Sequence, residues 1–499
     1  MSKPLSGHTA AEEAPFSLKA ILPPLLAIIV GMIMVILDGT VVNVAVPNLV
    51  DFFNSDLKTI QWAITGYTLA LSAVIPLAGW MTDRFGAKQV FVTTVVLFVL
   101  GSALCSIAQN ATQLIIYRVI QGLGGGMVAP IGMAMVFKLA PPERRGAIMG
   151  MLGVPMLLAP ALGPVLSGWL VEYANWRWIF LINVPIGVVA VILGIAYLPK
   201  DDRFAPKQLD LLGILLAPIA FAMLAYGVNE GGSVSWTSRG AELGLAIGGV
   251  ALVLFIIVEL LHKNPLLELR VFRSSDFTRG IILTWIMQAS LFGCMLFVPL
   301  YLQTIRQFTP LETGLILLPQ ALCSAIAMPI GGKFFDKYGA RPVSFVGLVI
   351  IAVSLFLLSG IHADTSLYVI MPLLGAMGFG MGLSMMPLNT HVLNAAPRQW
   401  VNRVTPLTSA LQQVVVSFAV AGMTGYMTSR INHHVGAAGK GGNPLEATVL
   451  GFDDVFLLSA WMAVAGVALC LILRKPKEMI VGSGPEGEGK PDPSLMIGH

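Results

Sequence analysis

The sequence predicts an all-α polytopic membrane protein: two six-helix bundles with two further helices inserted between them. Three observations carry this reading. The 499 residues are 56% hydrophobic and only 11% charged, whereas a soluble domain carries about a quarter charged residues. Apolar runs longer than about 18 residues recur from end to end, the length a helix needs to cross hydrocarbon. A polar hinge also occurs twice. Gly79–Lys88 (GWMTDRFGAK) and Gly332–Arg341 (GKFFDKYGAR) share the pattern G-x-x-x-D-[RK]-x-G-x-[KR] with every spacing kept, and long-period self-similarity of this kind marks internal duplication. No stretch has the alternation of a lipid-facing barrel strand.

Taken in order, residues 1–19 form a polar tail whose Glu12 and Glu13 are wrong for the basic lead of a signal peptide. The first span is therefore expected to stay in the mature chain. Fourteen spans follow, at about 20–47, 59–80, 89–108, 112–137, 146–170, 178–198, 210–228, 242–262, 280–302, 314–332, 343–361, 367–390, 405–429 and 454–474. The hinge follows span 2 and its copy follows span 10, so the repeat offset is eight spans rather than six. Two bundles, 20–198 and 280–474, explain this if 199–279 is a linker carrying an extra pair of helices. The segment 475–499 is rich in Gly, Pro and Glu and reads as a disordered tail. Cys105, Cys294, Cys323 and Cys470 all lie in apolar runs, which suits buried free thiols, and no pair has metal-ligand spacing.

Loop charges set the orientation. With the N-terminus in the cytoplasm, 23 of the 30 lysines and arginines fall inside. Lys58, Arg177, Arg239, Arg306, Arg430 and Lys440 fall outside, and Arg118 lies within span 4. That imbalance places both termini in the cytoplasm. Twelve spans with two re-entrant segments would satisfy the same charges, and fourteen is the simpler count.

Asp38 is the most informative residue. Of the 26 acidic residues it is the only one placed well inside a hydrophobic span, where an unpaired charge costs several kcal/mol. Its natural partner is Arg118. Span 1 runs outward and span 4 inward, and at 1.5 Å per residue the two side chains differ in depth by only about 6 Å. Span 5 carries Gly153, Pro155, Pro160, Gly163, Pro164 and Gly168, prolines that remove backbone donors and glycines that permit close helix contact.

Together these motifs resemble those of the major facilitator superfamily: D-R-x-G-x-K at Asp83–Lys88, R-x-x-Q-G-x-G from Arg118 and G-P-x-x-x-G from Gly163. L-D-x-T-x-V-N-V-A-x-P from Leu37 and W-R-W-I-F-x-I-N-V-P-I-G at Trp176–Gly187 are similar, more narrowly, to its fourteen-span drug–proton antiporters of the EmrB/QacA type. The resemblance covers essentially the whole chain. It implies a major facilitator fold in a bacterial inner membrane, exporting lipophilic, often cationic compounds. The proton gradient would be the energy source, with no cofactor. Asp38 would be the proton-linked acid, Arg118 its coupling partner and the span-5 helix an antiporter-type interface. Gly79, Asp83, Arg84, Gly86 and Lys88, with Gly332, Asp336, Lys337, Gly339 and Arg341 in the copy, would form gating loops. A periplasmic adaptor and an outer-membrane channel would join it in a Gram-negative cell. The chain departs from the family pattern in two places. Ala87 stands where a basic residue is usual, and the second half has no arginine corresponding to Arg118, which concentrates coupling in the first bundle.

Spans 9–14 offer Gln288, Tyr301, Gln303, Asn389, Gln412 and Gln413 as polar points of a substrate pocket, and 24 Met with 24 Phe would make its walls adaptable. His391, His433 and His434 have no ligand-like spacing to a carboxylate, so no metal site is expected. The chain lacks a Walker loop, which excludes ATP drive of its own. Nothing in the charge pattern points to nucleic acid. Two other readings stand beside export of drugs: the same fold carrying one metabolite, lipid or self-made antibiotic, and a membrane enzyme or receptor. The last would need a nucleophile or catalytic dyad in the spans, and none is evident.

Overall fold

A computed structural model describes residues 18–200, 210–362, 364–438 and 444–473. Most of the expected tail 1–19, the linker around 201–209, the centre of the loop 430–452 and the tail 475–499 lie outside the described residues.

Fourteen helical segments run through the described residues: α1 Leu18–Phe53, α2 Leu57–Phe85, α3 Ala87–Ser106, α4 Ala111–Leu139, α5 Arg145–Tyr173, α6 Trp178–Tyr197, α7 Leu211–Ser233, α8 Arg239–Leu261, α9 Ser275–Thr304, α10 Pro310–Tyr338, α11 Ala340–Leu358, α12 Leu367–Asn394, α13 Val401–Ala438 and α14 Pro444–Cys470. Thirteen are long and apolar enough to cross a membrane, and α5 spans 29 residues. Each lies on an expected span, though most begin earlier or end later. Hydropathy registers only the apolar part of a helix, while its hydrogen-bonded ladder runs on into polar ends. Local chemistry sets the breaks. Pro76 sits in a 3-10 turn at Ile75–Leu77 inside α2, and α4 is interrupted after Gly124-Gly125-Gly126. Asp56, Asn110, Ser238 and Thr309 cap helix starts with side-chain acceptors.

Two bundles result. In the first, α1 packs on α5 and α6, and α4 on α2 and α3. In the second, α12 packs on α10 and α11, and α14 on α9, α11 and α13. The bundles meet chiefly along α5 and α10, and where α2 crosses α13. Between them α7 and α8 form a hairpin so close that a Cβ at Gly244 would lie 2.6 Å from Gly227 Cα. The other face of α8 exposes Leu243, Val250, Leu254 and Leu261, as a lipid-facing helix does. It is α7 that docks the pair on the bundles, touching both α2 and α13.

One expectation needs correcting. Asp38 is not the only acid buried in a helix of spanning length, because Glu259 near the end of α8 is 1% exposed. It joins buried Asp210 and Glu268 at the root of the α7–α8 pair, and among the described residues Asp210 Oδ2, Glu259 Oε1 and Glu268 Oε1 have no hydrogen-bond partner. Glu259 lies at the edge of its apolar run, so hydropathy alone does not single it out. The following elbow folds back instead, and Leu267 N donates to Glu259 Oε2 at 3.1 Å. Of the thiols, Cys105 and Cys470 are buried and Cys323 only half-buried; all three are free. The side chain of Cys294 lies outside the described residues.

Candidate functional site

The first bundle encloses a buried polar network. Asp38 on α1 accepts from Arg118 Nη1 on α4 at 2.5 Å through Oδ2. Its Oδ1 accepts from Gln121 Nε2 and from Asn183 Nδ2, each at 2.8 Å. Ser102 Oγ on α3 accepts from Gln121 at 2.6 Å, and Arg118 also donates through Nε to Ala63 O at 3.2 Å and through Nη1 to Gln121 Oε1 at 2.6 Å. The guanidinium lies 3.9 Å from the centre of the Tyr67 ring, a stacked cation–π contact. Asp38 and Arg118 are each 1% exposed. Such a pair survives burial only when its other donors and acceptors are also satisfied, and five helices supply what is needed.

Local sequence explains the assembly. Arg118 and Gln121 are three apart on α4 and so share a face. Asn183 opens the longer part of α6, and the turn before it is pinned by Trp176, buried against Phe52, Phe53 and Phe180 with the Arg177 guanidinium 4.6 Å from its ring. The tryptophan-rich motif thus sets the angle at which Asn183 enters the core. Sequence reasoning paired Asp38 with Arg118 but passed over Gln121, Asn183, Ser102 and Tyr67. The first two stood inside quoted motifs, which was the available signal.

The two hinges form a pseudo-symmetric seam at one end of the molecule. Asp83 on α2 accepts from Arg403 Nε at 2.9 Å and Asn402 Nδ2 at 3.0 Å on α13. Asp336 on α10 accepts from the backbone N–H groups of Gly146 and Ala147, at 2.6 and 2.9 Å, in the first turn of α5. Each acid therefore crosses to the opposite bundle and meets the start of a helix, where the dipole favours negative charge. Gly79 admits α13, since a Cβ there would lie 2.6 Å from Asn402 O. Gly332 and Gly146 face each other with no room for a Cβ on either. Gly86 and Gly339 hold φ of +88° and +82°, which only glycine adopts freely. The basic residues stay outside the seam. Arg84 lies over Trp80, Lys337 over Tyr338, Lys88 Nζ donates to Ile195 O at 2.7 Å, and the Arg341 side chain is exposed.

Beyond the closed seam a cavity of about 590 Å³ separates the bundles. Thr40, Asn43, Pro160, Pro299, Gln303 and Gln320 are among its lining residues. On α9 it is met by Phe292, Met295, Leu296, Pro299 and Gln303, a single helical stripe. Of the six residues expected to line the substrate pocket, Gln303 lines this cavity, and Gln413 lines a smaller one with Ser72 and Phe221. Tyr301 sits on the opposite face of α9, buried, and donates to His362 O at 2.8 Å. Gln412 donates to Asn389 at 3.2 Å between α12 and α13, while Gln288 is buried and Gln413 half-buried away from the cavity. Their spacing along the helices, which sequence reading ignored, turns them away.

The expected interface helix, α5, stays continuous through its prolines. Gly153 faces Met328 and Met386, Gly163 abuts Thr40 Oγ1, Gly168 approaches Leu311, Pro155 is buried and Pro160 lines the cavity. The side chain of Pro164 lies outside the described residues. Among the described residues, no group of three or more His, Cys, Asp or Glu is placed to hold a metal ion.

Paired helical bundles about a cavity, with a buried ion pair in one of them, define a membrane carrier. Comparison with known proteins agrees. Residues 28–420 match the family model described as Major Facilitator Superfamily. The chain is 37% identical over 410 residues to a multidrug resistance protein B homolog of Mycobacterium tuberculosis, covering 81% of this chain and 76% of that one. It is 29% identical over 462 residues to the lincomycin resistance protein LmrB of Bacillus subtilis, covering 92% and 96%. Among solved structures, a double-tryptophan variant of XylE superposes with a TM-score of 0.64 at 14% identity, covering 92% of this chain and 97% of that one; at that identity the likeness is one of fold. The chain belongs to the major facilitator superfamily and is a multi-pass membrane transporter of small molecules.

Proposed function

We propose that the protein is a fourteen-span antiporter of the EmrB/QacA type, exporting lipophilic, often cationic compounds in exchange for protons across a bacterial cytoplasmic membrane. Both termini and the closed seam face the cytoplasm, so the cavity opens outward. The observation that carries the proposal is the Asp38–Arg118 network, an ion pair sealed inside one bundle and directed at nothing but its own partners. A transporter that used Asp38 only to bind cargo would expose it to the cavity. Relatives named for multidrug and lincomycin resistance support the class of cargo.

The chemistry follows from the donors. As a carboxylate, Asp38 accepts three hydrogen bonds. A proton on it would cancel the negative charge that holds Arg118 and weaken all three bonds, loosening Arg118, Gln121 and Asn183. Those three residues lie on α4 and α6, so loading the proton shifts helices of the first bundle and biases its rocking against the second. One such acid gives about one proton per cycle. Exchange for a monovalent cation is then electroneutral, and the pH gradient alone drives it, at about tenfold accumulation per pH unit.

The test is Asp38→Asn in proteoliposomes held at a fixed pH gradient with a fluorescent cationic substrate. Uphill export should disappear while downhill exchange persists. Substrate still concentrated in response to pH would overturn the assignment.

A further inference from the structure

A second cavity lies beside the central one, and nothing above assigns it. It measures about 370 Å³ and is bounded by α2, by the inserted helix α7 and by α13. We infer that it is a second binding site for lipophilic compounds that carry hydrogen-bond donors, divided from the central cavity by α13. This inference rests on the export reading above.

The site exists because of the inserted pair. At the seam α2 meets α13 directly, through Gly79 and Asn402. Further along, α7 stands between them, and a Cβ at Gly232 would lie 2.8 Å from Ala421 Cβ. The three helices are thus held apart around a space of ligand size.

The lining specifies the chemistry. No Asp, Glu, Lys, Arg or His contributes to it, so neither an anion nor a tightly ion-paired cation is recognised. Thr68, Ser417 and Thr424 do contribute. Each gives its single hydroxyl hydrogen to the carbonyl four residues earlier, at 3.0, 2.9 and 2.8 Å. The oxygens keep their lone pairs and can only accept. Thr65 and Asn229 add further polar groups to an otherwise aliphatic lining, and a slot so rich in acceptor oxygens takes an apolar molecule bearing N–H or O–H groups, such as an aromatic amine. Val416 and Val420 line this cavity and the central one alike. Rotation of α13 about its axis would join the two.

Ethidium is apolar, cationic and carries two amino groups, which makes it a suitable probe. Equilibrium dialysis against the full-length protein in detergent is expected to give two molecules per chain. The combined variant Thr68→Val, Ser417→Ala and Thr424→Val removes three of the acceptor oxygens at near-constant volume. It should weaken one site at least tenfold and leave the other unchanged, while Gln303→Trp should abolish only the other. Should the triple variant misfold, Thr68→Cys supplies a second measurement: ethidium should slow its alkylation severalfold, and still do so when combined with Gln303→Trp. A single ethidium per chain, lost in Gln303→Trp, overturns the second site and leaves the export reading standing. Two sites that both ignore the triple variant overturn it as well. No binding anywhere overturns both readings.

Discussion

Asn183 and Gln121 share Asp38 Oδ1 between them, so deleting one amide leaves the oxygen a single donor. Asn183→Leu should cost about 1–3 kcal/mol, the penalty for depriving a buried polar group of a partner, read as a lowered melting temperature in detergent. Arg118→Lys keeps the charge but loses the bond to Ala63 O and the flat face on Tyr67. It should reduce pH-driven export more than tenfold with the fold retained, because lysine offers a point charge where a planar fork is needed. At this scale the charged pair was legible in the sequence and its amide partners were not. A buried ion must be matched, so two charges in apolar spans point to each other, whereas an Asn or Gln in a span has many outlets. Sequence hydropathy also missed Glu259, since it cannot see an elbow fold back over a helix end.

The helix contacts separate tolerable from intolerable glycine changes. At Gly153 an added Cβ would meet the side chains of Met328 and Met386, which are flexible and can yield. Gly153→Ala should therefore leave transport within about twofold by the vesicle assay. At Gly146 it would meet Gly332 O and the Asp336 carboxylate. Gly146→Ala should part α5 from α10 at the seam and shift the protein toward the state in which the seam is open, seen as faster alkylation of a cysteine replacing Thr82, which is buried beside the Asp83 hinge. The elbow between α8 and α9 makes a pH prediction. Burial pushes the Glu268 carboxyl above its usual range, against the opposing pull of Arg270 and Arg403. A carboxyl raised on folding contributes stability that is complete below its unfolded value and is lost as pH rises through the folded one. Glu268→Gln should accordingly raise the melting temperature more at pH 8 than at pH 5. Helix existence was legible from apolar run length; helix ends and the Pro76 break were set by caps and turns that hydropathy does not weigh.

For the whole molecule, the two hinges were legible because both keep their spacing, and their offset of eight spans is what led to the expectation of two helices between two bundles. Where that pair docks was not legible. Only packing shows that α7 lies between α2 and α13, since a helix with small residues on one side has many candidate partners. Orientation can be checked in intact cells carrying a cysteine-free background: a cysteine at exposed Ser235 should label from outside, and one at Lys337 should not. Labelling at Lys337 would reverse the topology. The seam, finally, acts as a logical conjunction. Asp83 holds α13 and Asp336 holds α5, and neither release alone parts the bundles, so their contributions to the closed lifetime multiply. With a charged hydrogen-bonded contact contributing about 1.5–3 kcal/mol, losing one acid should shorten the closed dwell roughly tenfold or more, and losing both roughly a hundredfold or more. The carrier's clock would then be set by two bolts rather than by the depth of its cargo site, and single-molecule dwell times would record that directly.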